Sequence, residues 1–99
     1  MLNAYYKSSN VSGGTGGGGE APTASFQNPV DPHVYQSIAF VSTSGGYGLT
    51  YQWYIDGSDH GNAQSFFKVF TSPGNHYVTL TVSNDYGSDT ESKTIYISA

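Results

Sequence analysis

Few residues of this chain offer acid–base or metal-ligating chemistry, and they cluster only once. Asp56, Asp59 and His60 share the polar stretch D-G-S-D-H. Carboxylates there would suit calcium, and an imidazole with a carboxylate would suit a transition metal. The stretch lacks the alternating acidic loop with a terminal bidentate glutamate, and Asp-Gly is itself a tight-turn pair. A solvated turn accounts for all three residues, so no metal and no cofactor is expected. His33, His60 and His76 show no H-x-H or H-x-x-x-H spacing and read as three separate surface histidines.

Catalytic constellations are equally sparse. Serines are abundant, but no G-x-S-x-G elbow occurs and no cue links a serine to a histidine and an aspartate. Glu20, Asp56, Asp59, Asp85, Asp89 and Glu91 are all expected in loops or termini, not as a pair flanking a sugar. The chain has no cysteine. Thiolate zinc sites, disulfides and cysteine catalysis are therefore excluded. The glycine-rich run at 13–19 lacks the terminal G-K-S/T and the strand-to-helix setting of a phosphate loop. The chain is not expected to be an enzyme.

Charge narrows the partners. Three Lys or Arg stand against seven Asp or Glu, for a net charge of −4. Nucleic-acid binding needs clustered cations to displace phosphate counterions, and a membrane-surface patch needs the same. Neither cluster exists. No apolar run approaches the roughly 20 residues that span a bilayer, so no membrane insertion is expected. No basic-apolar-small leader follows Met1, so an extracellular setting would make the chain a segment of a longer protein.

The elements that carry these residues are strands. In His76–Asn84, Val78, Leu80 and Val82 alternate with Tyr77, Thr79, Thr81 and Ser83, apolar on one face and hydroxylated on the other. Ser-Pro-Gly at 72–74 opens this strand, and Asn84–Ser88 closes it. Thr23–Gln27, Tyr35–Ser44, Thr50–Asp56, Ser65–Thr71 and Thr90–Ser98 read as further strands. Within Ser65–Thr71 both faces carry aromatic rings, so periodicity does not choose the inner one. No segment has helical spacing. Short strands with turn chemistry between them point to an all-β sandwich of about seven antiparallel strands over residues 22–99.

Residues 1–21 are expected to precede that domain as a short head and a flexible glycine-rich tether. Asn10 begins an N-x-S glycosylation sequon. The head, Met1–Lys7, has some strand character and is a candidate to lend a strand to a neighbour.

Certain stretches are similar to a known family. W-Y-I-D-G at 53–57, F-T-S-P-G-N-H-Y-V-T-L-T-V-S-N at 70–84 and Y-G-S at 86–88 resemble the PKD domain, an immunoglobulin-like sandwich. The likeness covers about residues 22–98 and is closest to the form found in archaeal secreted and surface proteins. One departure stands out. The family usually carries Gly-Asp-Gly shortly after the tryptophan, whereas here Ile55 runs straight into Asp56-Gly57. The generic immunoglobulin-like alternative gives the same architecture.

The expected core is Trp53 at the centre, meeting Val78, Leu80 and Val82 across two layers. Ile38, Phe40, Ile55, Phe70, Ile95 and Ile97 surround it. Tyr77 is expected to tie its hydroxyl to backbone as a tyrosine corner. Tyr35, Tyr47, Tyr54, Phe67, Tyr86 and Tyr96 are surplus to this core. Tyr54 and Phe67, if outward on neighbouring strands, would form the best binding patch. The resemblance implies a non-catalytic extracellular or cell-surface module that makes protein contacts within a larger assembly. Alternatives are a glycan-binding accessory module of a secreted hydrolase, or an immunoglobulin-like domain of a virion or surface filament.

Overall fold

The computed structural model describes residues 20–99. Asn10, the Met1–Lys7 head and the glycine run lie outside the described residues. Six strands form: β1 (Ser37–Val41), β2 (Thr50–Ile55), β3 (Ser58–Asp59), β4 (Ser65–Val69), β5 (Gly74–Asn84) and β6 (Gly87–Ile97). β1 pairs with β4, and the order β3-β2-β5-β6 makes a four-stranded antiparallel sheet. The inner faces of the two sheets enclose the core, as expected for alternating strands packed in two layers.

The alternation of β5 sets the inner register. Val78, Leu80 and Val82 are fully buried, and β2 lies beside them with Ile55 opposite Val78, Trp53 opposite Leu80 and Tyr51 opposite Val82. The indole therefore sits next to Leu80 within one sheet and does not face it across the layers, because β2 and β5 are hydrogen-bonded neighbours. Aromatic rings meet it instead. Phe26 and Phe66 lie edge-on at centroid distances of 5.2 and 5.1 Å, and Phe40 lies tilted at 6.2 Å. Trp53 is 0% exposed, and its Nε1 donates to the Ala63 carbonyl at 2.8 Å. Ile38, Phe40, Ile55, Phe70, Ile95 and Ile97 are buried around it, joined by Ala24 and Phe26.

Two segments expected as strands are shorter or looser. The strand in Tyr35–Ser44 spans only Ser37–Val41, since Tyr35 has a left-handed φ of 62° that no strand accommodates. Thr23–Gln27 is held by single bridges, Thr23 to Gly45 and Phe26 to Ser42. Side chains supply its remaining bonds. Asp89 Oδ2 accepts the Ala24 N–H at 2.8 Å, and Lys93 Nζ donates to the Phe26 carbonyl at 2.7 Å while lying 4.9 Å from the Phe26 ring. Residues 32–34 then run parallel to the end of β6, with the Val34 N–H donating to Ser98 O and the Ser98 N–H to Pro32 O.

Asp89 and Glu91, expected in loops or termini, lie in β6 and share its inner register with Lys93, opposite Val82, Leu80 and Val78. Inward charges are one way to blunt an edge strand against aggregation. Here Asp89 and Lys93 also dock the chain that covers the sandwich margin.

Trp53→Ala is expected to cost about 3–5 kcal/mol in a urea titration, because a large ring and a buried hydrogen bond are lost together. Lys93→Ala should cost less, about 1.5–3 kcal/mol. Its effect should concentrate on residues 22–28, read as faster amide exchange there than in β5.

Candidate functional site

The Asp56 cluster is a structural latch. Tyr54 pairs with Asp59 and Ile55 with Ser58, so Asp56 and Gly57 form a two-residue hairpin loop. Both have positive φ, 51° and 82°, the requirement of a type I′ turn. Asp56 tolerates that conformation because its short side chain bonds locally. Its Oδ1 accepts the Tyr77 N–H at 2.8 Å, and its Oδ2 lies 2.6 Å from His76 Nδ1. His76 Nε2 lies 2.8 Å from the Ser72 carbonyl. Both ring nitrogens face acceptors, and only the imidazolium can donate to both. The His76 ring also packs 4.5 Å from Phe70.

The pKa shifts follow this geometry. The Tyr77 amide holds the Asp56 carboxyl below its ordinary value, helped by His76 and opposed by partial desolvation. Desolvation pulls His76 downward, but the bonds to Asp56 and Ser72 outweigh it and leave the imidazole raised. Asp59 is lowered by the Gly61 N–H and then by Gln52 Nε2, both donating to its Oδ1 at 2.8 Å. His60 Nδ1 bonds the Ser58 carbonyl, and His33 Nδ1 bonds Ser98 Oγ at 2.6 Å. The three histidines have separate partners. Among the described residues no group of three or more His, Asp or Glu is arranged to hold a metal.

Of the surplus aromatics, Phe67 lies on one outer face, Tyr54 and Tyr96 lie on the other, and Tyr35, Tyr47 and Tyr86 lie in turns. Ala39 lies opposite Phe67, Ser37 opposite Val69 and Val41 opposite Ser65, which gives the outside of β1·β4 an apolar strip. Phe67 is 74% exposed at its centre. Tyr54 is outward on β2, in the other sheet. The two residues expected to form one patch therefore sit on opposite sides of the sandwich. Phe66, Lys68 and Phe70 take the inward positions, since Phe66 opposes buried Phe40 and Lys68 opposes buried Ile38. Tyr77 is not a tyrosine corner. It occupies the outward register of β5, more than half exposed, and its hydroxyl bonds no described residue. The alternation of Tyr77, Thr79 and Thr81 already placed it there.

Comparison with known proteins bears on the architecture and on the tryptophan-containing strand. A family model described as PKD domain matches residues 17–97. The chain belongs to the PKD family. The PKD1 domain of the Vibrio cholerae metalloprotease PrtV is similar at 29% identity and TM-score 0.66, over 81% of this chain and 100% of that one. The PKD1 domain of Vibrio anguillarum Epp is similar at 25% identity and TM-score 0.67, over 81% and 96%. The PKD domain of the human VPS10 domain-containing receptor SorCS2 shares the fold at 19% identity and TM-score 0.60, over 94% and 97%. No curated protein sequence matches the chain. A PKD domain is typically a non-catalytic module of a larger protein. In this PKD domain the type I′ geometry of Asp56-Gly57 needs no glycine ahead of the aspartate.

The latch makes stability depend on pH in both directions. His76, raised in the folded state, contributes fully below its ordinary value of 6.5, and that contribution is lost as pH rises through the folded value. Asp56, lowered, contributes above 3.8, and that contribution is lost as pH falls through its folded value. The urea midpoint should therefore fall as pH rises from 6 toward 8, and His76→Gln should flatten that fall. An unchanged slope in the variant would show that the pair is not coupled to folding.

Proposed function

We propose that this PKD domain is a non-catalytic extracellular or cell-surface module that makes protein contacts within a larger assembly. The observation that carries this reading is the apolar strip of Phe67, Val69, Val41 and Ala39 on the outside of β1·β4. The outer face of β2, β5 and β6 carries hydroxyls, amides and phenols instead, so of the two sheet faces this strip is where apolar contact with a neighbouring protein is favoured. Covering one large aromatic ring contributes about 1.5–3 kcal/mol.

Backbone chemistry supports the same face. β4 has β1 as its only strand partner among the described residues, which leaves its other edge open to an added strand. An extracellular setting is supported by the similar domains, one of which is from a metalloprotease and another from a receptor. The low cation count argues against nucleic acid as the partner.

Hydrogen exchange tests the reading when the isolated chain is compared with the gene product that carries it. Amides of β1 and β4 should exchange about tenfold or more slowly in the larger protein, and Phe67→Asp should abolish that protection without unfolding the domain. Identical exchange in both settings would overturn the assignment of this face.

A further inference from the structure

Asp56-Gly57 is the only place in the sequence where an aspartate or asparagine precedes a glycine. Such a pair carries a reaction of its own. The Gly57 nitrogen can attack Asp56 Cγ, giving up its proton as the new C–N bond forms. The bond from Cγ to one carboxyl oxygen breaks, and that oxygen leaves as water. Water then opens the resulting succinimide at either carbonyl. One opening restores aspartate, and the other leaves isoaspartate, whose main chain runs through Cβ and Cγ. Glycine favours the attack because no side chain shields its nitrogen or limits its backbone.

In the folded chain the nucleophile is free and the electrophile is held. Among the described residues the Gly57 N–H donates to no backbone acceptor, and the space over Gly57 is open. The Asp56 side chain is 50% exposed, so exclusion of water does not protect it. Hydrogen bonds fix it instead. Its N–H donates to the Tyr77 carbonyl at 2.8 Å, its Oδ1 accepts the Tyr77 N–H at 2.8 Å, and its Oδ2 lies 2.6 Å from His76 Nδ1. His76 is in turn held by the Ser72 carbonyl and by the Phe70 ring. The type I′ turn also sets ψ of Asp56 near about +30°, which directs the Gly57 nitrogen away from Cγ. Ring closure therefore requires Asp56 to leave its turn conformation and release both carboxyl oxygens.

We propose that Asp56-Gly57 is a latent isoaspartate site, kept from reacting because Tyr77 and His76 pin the two carboxyl oxygens. His76 is the positioning residue of the pair, since its contact is made by a side chain and can be removed alone. The consequence of reaction is structural. Isoaspartate lengthens the main chain inside a two-residue loop and takes the carboxylate away from Tyr77 and His76. A transient local opening of this hairpin would thereby become permanent.

The test incubates the whole 99-residue chain at neutral pH, folded in buffer and unfolded in urea. Labelling by an isoaspartate-specific carboxyl methyltransferase measures the product. An endoprotease that cuts ahead of aspartate but not isoaspartate locates it at position 56. The folded parent should react at least about tenfold more slowly than the unfolded chain. His76→Phe keeps a ring against Phe70 and removes the donor, and in the folded state it should raise the rate about tenfold, the effect of losing one charge-assisted bond. His76→Gln should show the same direction, and urea titration establishes that each variant is folded during incubation. Lys93→Ala, which loosens the first strand and leaves the turn bonds in place, should react at the parent rate. Equal rates in the folded and unfolded parent would overturn the proposal, as would a rate in both His76 variants no higher than the parent's. Equal acceleration by Lys93→Ala would also overturn it, since global stability and not the latch would then set the rate.

Discussion

Burial of one indole is the constraint on which the rest of this fold depends. Trp53 fills the space between the sheets, its ring met edge-on by Phe26 and Phe66 and its Nε1 bonded to the Ala63 carbonyl. A domain this small buries only about 60% of the surface its unfolded chain exposes, so few side chains can substitute for that contact. The bond to Ala63 also positions the chain between β3 and β4. It joins the strand at the centre of the large sheet to the loop that crosses to the small one.

From that centre outward, the sandwich is closed by side chains as much as by backbone. Asp89 and Lys93 reach from β6 to the backbone of Ala24 and Phe26, where a regular ladder is missing. Asp56 and His76 fasten the β2–β3 turn to the start of β5. Asp56, His76 and Asp89, which read as candidate metal ligands or catalytic acids, thus hold chain to chain. The two sheets also present outer surfaces to solvent. Those surfaces differ in kind, one apolar around Phe67 and the other phenolic and hydroxylated around Tyr77.

Much of the architecture was legible in the chain because strand alternation has a period of two. Val78, Leu80 and Val82 had to share a face, and Trp53 and Ile55 had to share one with each other. The Asp-Gly pair announced a tight turn for the same local reason, since positive φ suits those two residues. Family membership followed from the tryptophan strand and the Y-V-T-L-T-V strand, and the match over residues 17–97 agrees with it. Less legible was the first strand. Its sequence alternates acceptably, but its backbone is held by single bridges to Ser42 and Gly45 and by side chains more than sixty positions away.

By itself, then, the sequence determined the class of fold, the identity of most inward side chains and the absence of cysteine chemistry. These are local or compositional properties, set by periodicity and residue type. The tertiary structure alone decided which strands are neighbours. That choice put Trp53 beside Leu80 and not across from it, turned Phe66 inward and Phe67 outward, and parted Tyr54 from Phe67. Register between strands is a long-range property, fixed by the packing of whole faces against each other, and no window of sequence contains it.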